Sequence, residues 1–223
     1  MSKLQVGVLG TGLVGKTIGS KLIQLGYRVK MGSRTINNEK AVDWVKNSGD
    51  NASQGTFSDA ASFGELLFNC TEGIHSIEAL QQAGVENLKG KILIDIANAL
   101  DFSKGMPPSL TICNTDSLGE KIQRTFPDTK VVKTLNTMNC EIMVNPALVP
   151  GEHDVFVSGN DNNAKQQVID LLKNGFGWKS PIDLGDITTA RGTEMILPIW
   201  VHLYGLFQTA RFNFKIQRSE VGA

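Results

Sequence analysis

At 223 residues the chain is long enough for one sizeable core, or for one domain with a smaller appendage, and too short for two full-sized domains. Lys plus Arg and Asp plus Glu both number 22, so no global field of either sign draws it to nucleic acid or an anionic membrane surface. Three widely spaced cysteines, Cys70, Cys113 and Cys140, form no CxxC; they predict buried reduced thiols and neither a disulfide framework nor a zinc site.

Met1-Ser2-Lys3 leads straight into a strand pattern without a charged and apolar leader, so the cytoplasm is the expected compartment. β-branched apolar runs then alternate with helical patterns, the signature of a parallel sheet covered by helices. The runs predict strands at Gln5 to Leu9, Arg28 to Met31, Thr56 to Phe57, Leu66 to Cys70, Ile92 to Asp95 and Val131 to Leu135. Helices are predicted at Val14 to Leu25, Asn38 to Lys46, His75 to Ala83 and Asp116 to Thr125. After Asn136, "HDVFVSG" reads as a strand, "NAKQQVIDLLKNG" as an amphipathic helix ending at Gly175, and "KSPIDLG" as a short extended piece. A long helical pattern follows from Ile187 to Ile216, interrupted by Pro198. The apolar part of it, Met195 to Phe207, is shorter than the roughly 20 residues a membrane span needs and predicts a buried helix. The fold class expected is α/β: a Rossmann-type, doubly wound, mainly parallel sheet at residues 1–150, with a smaller, helical C-terminal addition at 151–223 packed on it.

Within the first unit, an apolar strand runs into Gly10-Thr11-Gly12-Leu13-Val14-Gly15 and then a helix. Gly10 permits the tight turn, Gly12 the approach of backbone to a pyrophosphate, and Gly15 the close packing of helix on strand. The phosphates then meet free N–H groups at a positive helix terminus. The end of the second strand normally carries an Asp or Glu for the adenine ribose; here it reads Gly32-Ser33-Arg34-Thr35. A guanidinium and a hydroxyl donate to a 2′-phosphate that a carboxylate would repel, so NADP(H) is expected over NAD(H). The plain alternative is that Arg34 is a solvated charge that merely stacks on the adenine. Lys40 either adds charge to this place or faces solvent.

The segments "GTGLVG", "GSRT", "GIHSIEAL", "LIDIANAL", "VVKTLNTMN" and "VFVSGND", taken together and in order, resemble the NADP-dependent oxidoreductases of the deazaflavin coenzyme F420 and the related cytosolic reductase domain of the STEAP metalloreductases. The resemblance implies direct hydride transfer between NADP(H) and a stacked flavin (FAD or FMN) or deazaflavin, with no obligatory catalytic acid or base. It implies that Thr11, Gly12, Leu13 and Val14 cradle the pyrophosphate and that Ser33 and Arg34 hold the 2′-phosphate. Thr71, Glu72 and His75 would border the adenosine half and the bridging phosphates. Ala97, Asn98, Asn136, Thr137 and Met138 would surround the nicotinamide and its partner ring. Asn136 and Asn139 stand where the F420 enzymes carry His and Pro, which leans toward the flavin-linked relatives.

The residues themselves agree with cofactor chemistry, offering no Ser/His/Asp arrangement, no paired carboxylates and no metal spacing. His75 reads as a helix-surface or capping residue and His153 as an exposed turn residue. His202 and Glu194 read as satisfied core groups, or as groups near ligand or interface. Trp200, Tyr204 and Phe207 share helical spacing, and a chain this short has little core to cover them, so a homodimer through the C-terminal helix is expected. Two rival readings remain: a dehydrogenase of a small carbonyl or imine, with Lys133 as proton donor, and an NADP(H)-binding sensor without turnover.

Overall fold

The computed structural model describes residues 4–219; Met1-Ser2-Lys3 and the last four residues lie outside the described part. In chain order the elements are β1 (Gln5–Leu9), α1 (Leu13–Gln24), β2 (Arg28–Ser33), α2 (Glu39–Lys46), β3 (Ala52–Thr56), α3 (Phe57–Phe63) and β4 (Leu66–Asn69). There follow α4 (Ser76–Ala83), α5 (Val85–Leu88), β5 (Ile92–Asp95), a small hairpin of β6 (Leu100–Asp101) and β7 (Ser109–Leu110), α6 (Leu118–Thr125), β8 (Lys130–Thr134) and α7 (Cys140–Val144). The C-terminal part contributes β9 (Asp154–Gly159), α8 (Asn162–Asp170), β10 (Ser180–Gly185), α9 (Ala190–Met195) and α10 (Leu197–Phe207).

Eight strands form one sheet in the order β10-β9-β8-β5-β4-β1-β2-β3. The six from β3 to β8 are mutually parallel, β9 runs antiparallel to β8, and β10 runs parallel to β9. The order reverses direction beside β1 and β4, the crevice where open α/β sheets bind ligands at the carboxyl ends of their strands.

Period-two alternation on buried strands divides the core. Val6, Val8, Phe68, Ile94 and Val132 point into one cluster with Ile18, Leu22, Trp44 and Ile142. Leu9, Leu67, Leu93 and Val131 point into the other with Phe57, Leu80, Leu118 and Ile122. The helices therefore cover both faces.

Several expectations need correction. The third strand is Ala52–Thr56, and Phe57 begins a helix instead of ending a strand. Thr56 accepts from the Asp59 amide while the Asp59 carboxylate accepts from Thr56, a capping box that starts α3 there. The helix from Asn162 runs past Gly175 to a left-handed Gly177 (φ 90°), because the chain widens into a π turn at Leu171–Phe176. The long C-terminal helix ends at Phe207, where Gln208 takes a left-handed conformation; residues 209–219 form no helix or strand and meet the start of β9, where the Asp154 amide is bonded to the Phe214 carbonyl at 3.0 Å. The helix at Met195 to Phe207 is not buried: Leu206 is 72 %, Ile199 52 % and Phe207 51 % exposed. His202 is exposed as well, whereas His153 is buried, its ring bonded to the Pro146 carbonyl and Asn213 and edge-on to Trp178. Cys113 is exposed, Cys70 partly covered and Cys140 buried. No helix among the described residues is long and apolar enough to cross a membrane.

Candidate functional site: a two-part groove at the carboxyl ends of the strands

The tight turn after β1 requires glycine at Gly10, whose φ is +123° and whose missing side chain would lie 2.5 Å from the Cys70 carbonyl. Gly15 faces the Gly10 carbonyl so closely that a methyl there would overlap backbone, which lets α1 dock on the turn. Gly12 caps α1, and a side chain there would meet no protein atom within 4 Å. That open space lies over the amides of the first helical turn, the geometry a pyrophosphate needs.

On one side of this turn lies a cavity of about 620 Å³, bordered by Gly10, Thr11, Gly12, Ser33, Arg34, Thr71, Glu72 and His75. Arg34 is exposed and makes no ion pair among the described residues, so its guanidinium is free to meet a ligand. Ser33 is buried and its hydroxyl donates to the Thr35 carbonyl at 2.6 Å, so Arg34 is the freer donor of the two.

On the other side lies a smaller cavity of about 350 Å³, bordered by Leu13, Val14, Ala97, Asn98, Asn136 and Met138, and by Phe102, Leu197 and Trp200. Both cavities share Cys70, Thr71 and Glu72, so they form one bent groove. Of the expected site residues, only Gly15 and Thr137 line neither part: Gly15 has the packing role, and Thr137 is buried behind the wall. A larger cleft of about 920 Å³ lies at the amino ends of the strands, near Leu66, Ile92 and Lys130, and contains none of the motif residues.

The second cavity is built from chain segments far apart. Asn98 donates to the Asn136 carbonyl at 2.8 Å, and Asn136 donates to the Asn98 side-chain oxygen and the Thr193 carbonyl, both at 3.0 Å. These bonds tie the β5 loop, the β8 loop and α9 together. They use both amide hydrogens of Asn136 and leave its Oδ1 without a donor among the described residues, while Asn98 keeps one free N–H. Trp200 stacks on Tyr204 and Phe212 with centroids 5.7 and 5.3 Å apart, and its buried Nε1 has no hydrogen-bond partner.

Behind this floor sits a buried ion network. Lys133 Nζ lies 2.9 Å from both Asp95 Oδ2 and Glu194 Oε1 and also donates to the Ala97 carbonyl. Asp95 accepts from Asn69 at 2.8 Å, Asn69 accepts from the Thr71 hydroxyl at 2.6 Å, and Glu194 accepts from the Leu118 and Gly119 amides that open α6. Burial works against the Lys133 ammonium, but the two carboxylates outweigh it and hold its pKa above the ordinary lysine value. Lys133 is therefore tied to two carboxylates and lines neither cavity wall, which speaks against it as the proton donor of a carbonyl or imine dehydrogenase. Glu194, entering the apolar C-terminal helices, finds its partner here.

Sequence reasoning placed the two asparagine loops but missed Phe102, Leu197 and Trp200 as cavity walls. Cavity charge is low: Glu72 is the sole formally charged residue lining the second part. Burial pushes the Cys70 thiol well above its usual range, so it stands there as a neutral wall group.

Residues 5–99 match the family model described as NADP oxidoreductase, coenzyme F420-dependent. A crystal structure from Arthrobacter sp. FB24, provisionally described as an F420-dependent NADP reductase, is 53 % identical and superposes with a TM-score of 0.92, covering 96 % of this chain and all of that one. The F420-dependent NADP reductase of Methanocaldococcus jannaschii is 28 % identical over 164 residues, 73 % of this chain and 72 % of its own. Human metalloreductase STEAP2 is 29 % identical over 194 residues, which are 86 % of this chain but only 35 % of that longer protein. With the glycine turn, the free Arg34 and this near full-length likeness together, the chain belongs to the family of coenzyme F420-dependent NADP oxidoreductases and is an NADP-dependent oxidoreductase.

Proposed function

We propose that the protein is a cytoplasmic, homodimeric reductase that passes hydride directly between NADP(H) and an isoalloxazine-like ring, a flavin or the deazaflavin F420. The observation that carries this reading is the character of the second cavity. It is apolar, it adjoins the phosphate turn, and its one formally charged residue, Glu72, lies at the junction shared with the adenosine side. Reduction of a carbonyl or imine leaves a localised charge that wants a proton at once, whereas an isoalloxazine-like ring spreads the incoming charge over its own heteroatoms. A wall whose single titratable carboxylate stands at the junction with the phosphate half, away from the asparagine loops, favours the second kind of acceptor.

Bound NADPH supplies the hydride from its nicotinamide ring. The protein's part is orientation and exclusion of water. The α1 amides and Gly12 take the pyrophosphate, and Arg34 takes the 2′-phosphate. The free N–H of Asn98 and the free Oδ1 of Asn136 complement the two ends of a carboxamide, which fixes the face that the nicotinamide presents. Leu13, Met138, Leu197 and Trp200 keep the ring pair dry. Thr71 and Glu72 border the junction of the two halves, and His75 borders the adenosine side.

The homodimer reading draws on α10. Leu197 is the sole buried residue of that helix, and Ile199, Leu206 and Phe207 leave an apolar face that water should not be left to cover. Light scattering is expected to give twice the chain mass at micromolar concentration; a clean monomer removes this part of the proposal.

The reaction is tested by following NADPH absorbance with FAD, FMN, riboflavin and coenzyme F420 in parallel, and NADH as control. Oxidation of NADPH with one of these rings, and slower oxidation of NADH, is expected. Tight NADPH binding with no oxidation by any of them would favour the sensor reading instead.

A further inference from the structure

The face of α1 that opens on the second cavity at Leu13 continues through Lys16, Thr17, Ser20 and Lys21 into a separate groove of about 690 Å³. Two elements line both spaces. From α1 come Leu13 and then Lys16; from α7 come Cys140 and Met143 on one side and Glu141 and Val144 on the other. The C-terminal strap adds a third link, since Phe212 stacks on Trp200 of the cavity wall and its neighbour Arg211 lines the groove. The groove thus lies beside the ring cavity, across the contact of α1 with α7 where the Thr17 hydroxyl meets Cys140 Sγ.

Its charge is unlike the rest of a chain with equal numbers of acidic and basic residues. Lys16, Lys21 and Arg211 face a single carboxylate, Glu141. The Arg211 to Glu141 pair is 3.7 Å long and exposed on both sides, so it ties up little of the arginine. Lys16 and Lys21 are half-buried and have no carboxylate within ion-pair distance among the described residues. Thr17 and Ser20 lie between them on the same helix face; the Thr17 hydroxyl donates to Cys140 Sγ, and the Ser20 oxygen accepts from Trp44 Nε1.

The ring cavity itself holds no cation, and its other end adjoins the turn that takes the coenzyme phosphates. An acceptor ring bearing an anionic side chain needs a positive exit, and the groove along α1 is one. We propose that the Lys16, Lys21 and Arg211 groove holds an anionic side chain of the hydride acceptor, a phosphate ester or a carboxylate chain. The inference rests on the reading of the second cavity as the acceptor-ring site. It makes the enzyme prefer acceptors with an anionic tail over the bare ring, more so at low ionic strength.

FMN and riboflavin share one ring and differ by the phosphate. Their kcat/KM values at saturating NADPH are compared for the wild type, the Lys16→Ala/Lys21→Ala double variant and Lys104→Ala, which removes a cation beyond Phe102 in the β6 to β7 turn. The FMN to riboflavin ratio is expected to fall about tenfold in the double variant, the scale of one or two charge-assisted bonds. The NADPH KM is expected to stay near its wild-type value. An unchanged ratio, a fall in Lys104→Ala instead, or a loss expressed in the NADPH KM overturns the proposal. Fluorescence titration of FMN and riboflavin into protein saturated with NADP⁺ separates the two ideas without turnover. Tighter, salt-sensitive FMN binding that depends on Lys16 and Lys21 keeps the groove even if no ring oxidises NADPH. Equal binding of FMN and riboflavin in a protein that turns over removes the groove alone.

Discussion

The two parts of the groove are made in different ways. The adenosine side comes from one uninterrupted stretch, β1 to α1 to β2, and its essential features are backbone: a left-handed Gly10, an open Gly12 and a close-packed Gly15. The side proposed for the nicotinamide comes from loops near residues 98, 136 and 197, held in place by side chains: the Asn98 and Asn136 amides, and the Lys133 network behind them. A backbone site of this kind binds whatever carries the right phosphates. A side-chain site of this kind can change its partner ring when a few residues change.

The contrast can be broken most forcefully at Lys133. Lys133→Met leaves Asp95 and Glu194 buried without their cation, and the expected loss is about 3–5 kcal/mol of folding stability in urea titration at neutral pH. Adding Glu194→Gln should recover part of it; a loss below about 1 kcal/mol would mean that the network does not hold the nicotinamide side together. Arg34→Ala tests the adenosine side alone. NADPH binding is expected to weaken by about 1–3 kcal/mol while NADH binding changes little. Equal losses for both coenzymes would refute the phosphate contact.

A smaller and different effect is expected at the ring. Asn98→Ala should lower kcat about tenfold through misplaced rings, with a shift in NADPH affinity smaller than that of Arg34→Ala. A change confined to affinity would make Asn98 a mere binding contact. The smallest effect belongs to the outer support of α6. Hydrogen bonds from Arg191 and Ser117 to Glu120, and from Arg124 to Asp116, hold both carboxyls below their usual range. Their contribution is therefore present above about pH 4.5 and lost as pH falls through the lowered folded-state values. Acid unfolding followed by circular dichroism should show this slope, and Arg191→Met should flatten it slightly; an unchanged acid profile would contradict it.

The same contrast explains what could be read from the sequence. The phosphate turn and the Ser33-Arg34 end of β2 are local, so glycine spacing and strand periodicity reveal them. The asparagine loops could be located because they follow the strand patterns of β5 and β8, while their place around the rings was implied only by the family resemblance. Trp200 and Leu197 could not be assigned to the cavity, since helical spacing tells which residues share a face but not what that face meets. Phe102 sits in a loop with no periodicity at all. The Lys133, Asp95 and Glu194 network joins positions up to 99 residues apart, from 95 to 194, through side chains only, and nothing in the order of the chain marks such a pairing. Apolar composition at 195–207 predicts burial; the exposed face of α10 shows that composition fixes the tendency to be covered and not the partner that covers it.

The most direct test is single-turnover oxidation of NADPH deuterated at the transferring nicotinamide carbon, with FMN and coenzyme F420 as acceptors. Direct transfer between stacked rings predicts consumption that requires the acceptor and is slower for the deuterated coenzyme. Acceptor-dependent consumption at identical rates for both isotopologues, or no consumption with either ring, would contradict it.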